Sequence, residues 1–594
     1  MATALPVNRV LVYDGDCAFC RYCVEYAEAV AGERIRFRPF QEAAVDYPEV
    51  AVEDFRASIQ LFTPQGQFSG ADAAFRVLAL QPRLAGWLWC YRHLPLFATL
   101  AEFVYRWTTR HRSWALGAAK LAFGARLRPL DYAVIAGIMT RAIGAIFLIA
   151  FVSWSVQANG LVGEDGILPV ADFFAAAARQ LGMAGYYLVP SAYWISPSDT
   201  TTRILVGIGV VASLALMANR FAVIGALAAY LAYLSLYYGG QIFMSYQWDR
   251  LLLECGVLLI LLNLNTRIGI GLFRLLVFRF MFLSGAVKLL SGDPAWANLS
   301  ALDFHFETQP LPTPLAWYAS HLPDAILHLG VAATLAIELI LPFCIFMPRN
   351  PRLLAAGGFI LLELLILATG NYNFFNLLTI VMCISLLDDR LFRRDHKKKE
   401  ERHGNRYVWR AIFCTFLLLG TLQTHATLAR RDLPGWERAL ISRVQPWALV
   451  NGYGVFAVMT KERDELIVQG SDDGEHWRDY VFRYKPQAPD ALHWVAPHQP
   501  RLDWQMWFAA LQPAKRVYWI DNFVVQLLLG SDSVASLMRP TGRQTPHFVR
   551  ILRYRYQFGS YAERANGHWW RREYQGIWYP ATSLGPWGRT SVSP

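Results

Sequence analysis

The chain has 594 residues, too many for one hydrophobic core, so two or three packed units are expected. Hydrophobic residues make up 55% and charged residues 17%, and the apolar excess lies between about residues 130 and 424, which argues against a single soluble domain. The net charge is +11, but Lys and Arg are scattered or flank apolar segments. Without a basic face, no nucleic acid partner is expected.

The first elements of the chain predict a redox dithiol. Residues 9–14 (RVLVYD) read as a buried strand, and a Cys-Ala-Phe-Cys sequence from Cys17 to Cys20 opens a helical run. The positive end of a helix lowers the pKa of the first thiol, and the spacing brings the second within bonding reach. Cys17 would then attack and Cys20 would resolve the mixed disulfide. The alternatives are ordinary thiols, half of a metal site or, with Cys23, part of an iron–sulfur site.

Residues 35–40 and a hairpin within residues 58–70 complete a small α/β domain, predicted to be thioredoxin-like over residues 1–125. The string YDGDCAFCRYCV resembles the DCC family of thiol-disulfide oxidoreductases, and the resemblance covers roughly residues 8–115. It implies a redox pair with two supporting aspartates, and the matching positions are Asp14, Asp16, Cys17 and Cys20. Because no signal peptide is predicted, we expect this domain to stay in the cytoplasm.

The middle of the chain, residues 130–424, predicts an α-helical polytopic membrane bundle that contacts membrane lipids. About nine spans are expected, near residues 133–153, 203–219, 222–238, 250–266, 270–290, 327–346, 353–369, 374–388 and 408–424. The connections assigned to the cytoplasm carry Lys and Arg, most densely at 388–406 with eight. The odd number of spans places residues 425–594 on the opposite, periplasmic or lumenal side.

Polar residues in or beside the spans are candidates for a site, because burying them in a membrane is costly. The candidates in the bundle and its loops are Asp249, Lys288, Asp303, His305, Glu307, Asn371 and Asn373. The alternating residues 303, 305 and 307 could ligate a metal, relay a proton or form the polar edge of an exposed strand. The two asparagines could equally cap a helix.

Residues 425–594 predict a β-rich, sandwich-like domain with a strand, a turn at residues 472–474 and a second strand. An aromatic-rich segment near residues 477–507 suits an exposed surface for partly folded clients, or a core cluster docked on the membrane interface. The candidate outer-domain surface comprises Asp473, Trp477, His498, Arg501, Asp503 and Trp504.

The strings QWDRLLLECG, TGNYNFFNLLT and VAPHQPRLDWQMWFAAL resemble lipase maturation factors, with matches in order over about residues 130–575. That resemblance implies a multi-span protein that helps exported proteins such as lipases reach an active state. The DCC-like domain is not part of the animal proteins of this family. We therefore expect a bacterial fusion in the inner membrane, with a cytoplasmic N-terminus and a periplasmic C-terminal domain.

The main hypothesis is a maturation factor with a thiol-disulfide oxidoreductase domain, served by a cytosolic thiol reductant and without a cofactor or bound metal. A membrane enzyme related to the vitamin K-dependent carboxylase fold, acting on a lipid or quinone, is one alternative. A non-redox, client-binding chaperone module is another. A thiol relay across the membrane is disfavoured, because all eight cysteines precede residue 415.

Overall fold

The structure is a computed structural model that describes residues 9–81, 84–127, 130–392, 405–429, 433–540, 545–585 and 590–592. The chain forms two compact units. The first contains residues 1–131 and 346–354, and the second contains residues 132–345 and 355–594. The basic cluster predicted at 388–406 falls largely on residues 393–404, outside the described residues.

The first unit is a small α/β fold with a mixed sheet in the order β2-β1-β3-β4. Strand β1 is parallel to β2 and antiparallel to β3, and β3 and β4 form the predicted hairpin. Its strands are Val10–Tyr13 (β1), Arg36–Pro39 (β2), Gln60–Thr63 (β3) and Gly66–Ser69 (β4). Its helices are Ala18–Ala31 (α1), Phe40–Ala43 (α2), Val52–Ala57 (α3), Gly70–Leu78 (α4), Ala85–His93 (α5), Pro95–Arg110 (α6) and Arg112–Phe123 (α7).

Strand β1 divides the core of this unit into two layers, because successive side chains of a strand point to opposite faces. Leu11 packs in one cluster with Ala31 and Leu61, and Val12 packs in the other with Phe55. The predicted small α/β fold is thus confirmed.

The second unit begins with the membrane helices and the loops between them. These helices are Ala133–Ser155 (α8), Ala158–Val162 (α9), Val170–Leu181 (α10), Gly185–Leu188 (α11), Asp199–Met217 (α12), Ala222–Gly239 (α13), Gln247–Leu264 (α14), Thr266–Leu290 (α15), Pro294–Ala297 (α16), Ala301–Thr308 (α17), Pro314–Ser320 (α18), Asp324–Leu339 (α19), Leu341–Cys344 (α20), Arg349–Thr369 (α21), Phe374–Cys383 (α22) and Arg406–Ala429 (α23).

Among the described residues, seven helical segments are long and apolar enough to cross a bilayer. They are Ala133–Ser155, Asp199–Met217, Ala222–Gly239, Thr266–Leu290, Asp324–Cys344, Arg349–Thr369 and Arg406–Ala429. Helix α14, predicted as a span near 250–266, is not among them and carries Asp249, Arg250 and Glu254. The run predicted at 374–388 is the shorter apolar helix Phe374–Leu386. The described residues thus contain seven candidate spans, where the sequence predicts about nine.

The C-terminal part of the second unit contains one antiparallel sheet in the order β6-β5-β7-β8-β9. Its strands are Arg463–Ser471 (β5), Arg478–Asp479 (β6), Phe548–Phe558 (β7), Trp570–Leu584 (β8) and Thr590–Val592 (β9). The remaining helices are Gly435–Val444 (α24), Arg501–Ala510 (α25), Ile520–Leu528 (α26), Asp532–Ala535 (α27) and Tyr561–Ala565 (α28). The predicted strands flanking residues 472–474 are confirmed, whereas the described strands form one sheet rather than the two layers of a sandwich.

Candidate functional site

The predicted dithiol lies where strand β1 ends and helix α1 begins. Cys17 occupies the N-cap position of α1, and its sulfur accepts a hydrogen bond from the backbone N–H of Cys20 at 3.4 Å. Both cysteines are free thiols and half-buried. The chain thus brings the two predicted redox residues together in the geometry that the spacing implies.

The two thiols differ in how easily they ionise. Burial opposes ionisation of Cys17, but the hydrogen bonds from Cys20 and the positive charge of Arg112 outweigh it and lower the Cys17 pKa. Burial and the neighbouring Cys17 sulfur raise the pKa of Cys20 to about 12. Burial also raises the pKa of Cys23 to about 11. Because the thiolate is the nucleophile, these pKa shifts favour Cys17 as the attacking thiol and Cys20 as the resolving thiol.

Asp14 and Asp16 hold the loop before the dithiol in place. The Gln41 side-chain amide donates hydrogen bonds to Asp14 Oδ1 at 3.1 Å and to Asp16 Oδ2 at 3.0 Å. The Gln41 carbonyl accepts from the backbone N–H of Gly15 at 3.1 Å. A Cβ at Gly15 would come within 2.7 Å of Pro39 Cβ, so this tight approach requires glycine. The two aspartates therefore fix the conformation of the loop through their hydrogen bonds with Gln41.

Arg112 connects this loop to the thiols and was not identified from the sequence. It lies at the start of α7, and its Nη1 atom is 3.1 Å from Asp14 Oδ2. Its positive charge favours the thiolate of Cys17. No local motif links Arg112 to a cysteine 95 positions earlier in the chain. Only the folded α/β unit brings them together.

In the second unit, Asp249 and Arg501 form a buried ion pair, although the sequence assigned them to separate sites. Arg501 Nη1 lies 2.6 Å from Asp249 Oδ2, and Arg501 Nη2 lies 2.8 Å from Asp249 Oδ1. The Tyr233 hydroxyl donates to Asp249 Oδ1 at 2.6 Å. The paired side chains are 0% and 1% exposed, so neither reaches solvent. This pair ties helix α14 to helix α25.

A second buried cluster, centred on Glu254, performs the same task, although Glu254 is not among the candidate site residues chosen from the sequence. Glu254 pairs with Arg279, and its Oε2 atom accepts hydrogen bonds from Asn451 N at 2.9 Å and from the Tyr453 hydroxyl at 2.7 Å. Arg279 Nη1 donates to the carbonyl of Asn451 at 3.0 Å. The membrane helices and the C-terminal segment are therefore joined by charges that are internally paired.

The two candidate asparagines also bind the C-terminal segment. Asn371 Oδ1 accepts from the backbone N–H of Ala496 at 2.8 Å, and Asn373 Nδ2 donates to Gln499 Oε1 at 3.3 Å. His498 lies beside them, with its ring nitrogen 3.5 Å from Gln157 Nε2. Burial lowers the pKa of His498. These side chains position the segment at residues 493–501.

The structure places residues 303, 305 and 307 on a helix, not on the exposed strand that the sequence also allowed. Asp303 Oδ2 lies 3.7 Å from His328 Nε2, and Glu307 Oε2 accepts a hydrogen bond from the backbone N–H of Phe558 at 2.7 Å. The ring of His305 packs against Phe456, with centroids 5.1 Å apart. The three side chains thus diverge. In the described part of the chain, no three His, Cys, Asp or Glu residues are grouped to hold a metal.

Lys288 is committed to an ion pair inside the bundle. Its ammonium group lies 2.6 Å from each carboxylate oxygen of Glu338. The pair joins α15 to α19 and is almost fully buried.

Three of the six residues predicted to form an outer-domain surface are buried. Arg501, Asp503 and Trp504 are 1%, 3% and 3% exposed, because α25 packs against the membrane helices. Asp503 accepts from the backbone N–H groups of residues 484 and 485 at 2.8 and 2.9 Å, and burial raises its pKa. Trp504 packs on Trp248 with centroids 4.9 Å apart.

Asp473 and Trp477 belong instead to the exposed turn between β5 and β6. Asp473 Oδ1 accepts from the backbone N–H groups of Glu475 and His476, each at 2.8 Å. Arg550 lies over the ring of Trp477 at 3.9 Å from its centroid. These contacts give both residues a structural role in the turn.

Comparison with known proteins gives three family matches in chain order. Residues 11–118 match the DCC1-like thiol-disulfide oxidoreductase model. Residues 135–394 match the lipase maturation factor transmembrane domain, and residues 449–580 match the lipase maturation factor C-terminal domain. No solved structure matches the chain.

Curated relatives agree with these matches. Lipase maturation factor 2 of Gallus gallus is 32% identical, with 75% of this chain and 80% of that protein covered. The Homo sapiens protein of the same name is 33% identical, covering 75% and 82%. Lipase maturation factor 1 of Mus musculus is 30% identical, covering 75% and 87%. These animal relatives contradict the expectation of a bacterial protein. The chain is a multi-pass membrane protein that belongs to the lipase maturation factor family and carries a DCC1-like domain at its N-terminus.

Proposed function

We propose that this protein assists the maturation of exported proteins such as lipases, and that its N-terminal domain carries out thiol–disulfide exchange. The observation that carries the proposal is the asymmetric dithiol: an N-cap thiol of lowered pKa beside a thiol of raised pKa. It occurs in a chain whose other two family matches are both to lipase maturation factor domains.

The exchange reaction needs only the two thiols and a partner disulfide. The Cys17 thiolate attacks one sulfur of the partner disulfide, forming a mixed disulfide and releasing the other partner sulfur as a thiolate. The Cys20 thiol then loses its proton and attacks the Cys17 sulfur, which releases the second partner thiol. The partner gains two electrons and the domain becomes a Cys17–Cys20 disulfide. A small thiol or dithiol reductant returns the domain to its reduced state.

Client contacts are proposed on exposed parts of the C-terminal segment. Trp494 and Val495 are 61% and 70% exposed, next to residues that are anchored on the membrane helices. Large apolar side chains held on a fixed backbone suit the apolar surface of a partly folded client. Membrane lipids are proposed to contact the outward faces of the spans.

The N-terminal domain and the C-terminal segment are proposed to lie on opposite sides of the membrane. The odd number of candidate spans supports this arrangement. The free cysteines of the first unit fit a reducing compartment, and the sequence after residue 415 contains no cysteine. The proposed reductant of the dithiol is therefore cytosolic.

The proposal is tested by expressing the full chain with a secreted lipase in cells that lack their own lipase maturation factor. We expect the chain to raise secreted lipase activity above that of empty vector. The variant C17S/C20S tests whether the dithiol takes part: lower activity at equal membrane expression would show that it contributes to maturation. If the unmodified chain does not raise secreted lipase activity, the maturation role is wrong. If C17S/C20S is as active as the unmodified chain, the dithiol does not contribute to maturation.

A further inference from the structure

A cavity of about 80 Å³ lies inside the second unit, between helices α15, α17, α19, α21 and α22. Its volume is several times what one water molecule requires. Phe280, Phe375 and Phe456 form apolar parts of its wall. Polar side chains also line this mostly apolar cavity, although the surrounding helices include three of the candidate spans. An apolar cavity with a few convergent polar groups is the usual form of a small-molecule site.

Two acidic residues of this wall are held by specific partners. Glu338 receives both hydrogen bonds from Lys288, at 2.6 Å each, so this pair is internally neutral. The pair is possible because Gly285 lets α15 approach α19: a Cβ there would lie 2.9 Å from Glu338 Cβ. Glu363 Oε2 accepts from Asn376 Nδ2 at 2.7 Å. Burying ionisable groups at this depth is costly, so each of the two acidic residues needs the partner that holds it.

The same wall contains polar groups with no hydrogen-bond partner among the described residues. They are Asn376 Oδ1 and the Tyr372 hydroxyl, in side chains that are 1% and 4% exposed. Such unpaired buried groups are rare and unfavourable. His305 also lines the cavity, and no hydrogen bond of its ring is found within the described part of the chain. Burial and the charge of Lys288 lower the pKa of His305 to about 4, so its ring is neutral at pH 7.

We propose that this cavity binds the hydroxyl head group of a membrane-dissolved alcohol or phenol. A hydroxyl group can donate to the amide oxygen of Asn376 and accept from the hydroxyl of Tyr372 or the ring of His305. An ammonium head group cannot accept and would meet Lys288. A carboxylate head group cannot donate to Asn376 Oδ1. The aromatic wall accommodates the adjoining chain or ring of the ligand.

The test uses the full chain in lipid nanodiscs with a long-chain alcohol that carries a photoactivatable diazirine beside its hydroxyl-bearing carbon. After illumination, mass spectrometry maps the labelled peptides. We expect label on peptides of the cavity wall, competed several-fold better by 1-dodecanol than by dodecane, dodecanoate or dodecylamine. Equal competition by dodecane would show nonspecific partitioning, and preferred competition by dodecanoate or dodecylamine would contradict the hydroxyl assignment.

Two variants that fill the cavity sharpen the test. Thr334→Phe and Ser284→Leu place additional carbon atoms at residues of the wall, and each should abolish the specific label. Leu329→Phe is the matched control, because Leu329 lies on the same helix as Thr334 and is 69% exposed. Undiminished label in a folded Thr334→Phe or Ser284→Leu protein would overturn the proposal. If both fail to fold, the competition series on the unmodified chain decides.

Discussion

The dithiol loop and the membrane unit use the same kinds of charged residue for opposite purposes. In the loop, Asp14 and Arg112 form an ion pair whose side chains are 16% and 25% exposed, beside a thiol that can be reached by a partner. In the membrane unit, Asp249 and Arg501 are 0% and 1% exposed and form two hydrogen bonds with one another. A partly exposed charge such as Arg112 can act on a neighbouring reactive group, whereas a fully buried ion pair stabilises the packing of the elements that it joins.

This difference changes how polar residues in the spans are interpreted. A charged residue in a membrane helix predicts a functional site, but Asp249 and Glu254 have partners on the segment that follows the spans. Their role is to join that segment to the bundle. Beside Glu363, two buried polar atoms without a partner among the described residues, Asn376 Oδ1 and the Tyr372 hydroxyl, belong to residues that line a cavity.

Breaking the buried Asp249–Arg501 pair should lower the stability of the protein more than any other change proposed here. Arg501→Leu leaves the carboxylate of Asp249 buried without its cation, which costs about 3–5 kcal/mol. We expect a clearly lower midpoint of thermal unfolding for the full chain in nanodiscs, followed by tryptophan fluorescence. The double variant D249L/R501L should recover part of the loss.

The matched control for that variant is Glu462→Gln, which removes one of the two acidic partners of Arg555; Glu462 is 66% exposed, and Asp464 remains as the other partner. Exposed pairs contribute within about 1 kcal/mol, so the unfolding midpoint should barely move. Equal destabilisation by R501L and E462Q would contradict the architectural role of the buried pair.

Two tryptophans of the C-terminal segment differ in burial, so replacing each by alanine should lower stability by different amounts. Trp504→Ala removes a side chain that is 3% exposed and should cost about 3–5 kcal/mol. Trp494→Ala removes one that is 61% exposed and should change stability by no more than about 0.5 kcal/mol. Secreted lipase activity should nevertheless fall with W494A. Unchanged lipase secretion with W494A would place the client surface elsewhere.

In the dithiol loop, Arg112→Gln should change reactivity more than stability. Loss of the positive charge raises the Cys17 pKa, so the thiolate fraction at pH 7 falls. We expect alkylation of Cys17 by iodoacetamide at pH 7 to slow several-fold, measured by mass spectrometry of the full chain. Arg110→Gln, at an exposed position just before the start of α7, is the control and should leave the rate unchanged.

The three cysteines in α1 and at its N-cap should also differ in the pH at which they react with an alkylating reagent. The Cys17 pKa is lowered, so its alkylation rate should reach a plateau at lower pH than that of an ordinary thiol. Cys20 and Cys23, with pKa values raised to about 12 and about 11, stay protonated through neutral pH and should react only in strongly alkaline solution. A common pH midpoint for all three cysteines would contradict the assigned roles.

The sequence predicted those features whose parts are close together in the chain. The dithiol, its strand and its helix fit within residues 9–31, and the seven candidate spans are all among the nine apolar runs predicted from the sequence. The pairing of Asp249 with Arg501 joins residues 252 positions apart, so both were recognised as candidates but not as partners. Arg501 was assigned to an outer surface because nothing local shows that α25 packs on the bundle. The contribution of Arg112 depends in the same way on the tertiary fold.

The most direct test of the working dithiol is a redox titration of Cys17 and Cys20 in the full chain, equilibrated with glutathione or dithiothreitol buffers and read by thiol alkylation. We predict one reversible two-electron transition between the dithiol and the Cys17–Cys20 disulfide, absent in C17S. The titration should leave Cys255 and Cys383, which are buried in the second unit, unmodified. No exchangeable disulfide at any potential would contradict the account and reduce Cys17 and Cys20 to structural thiols.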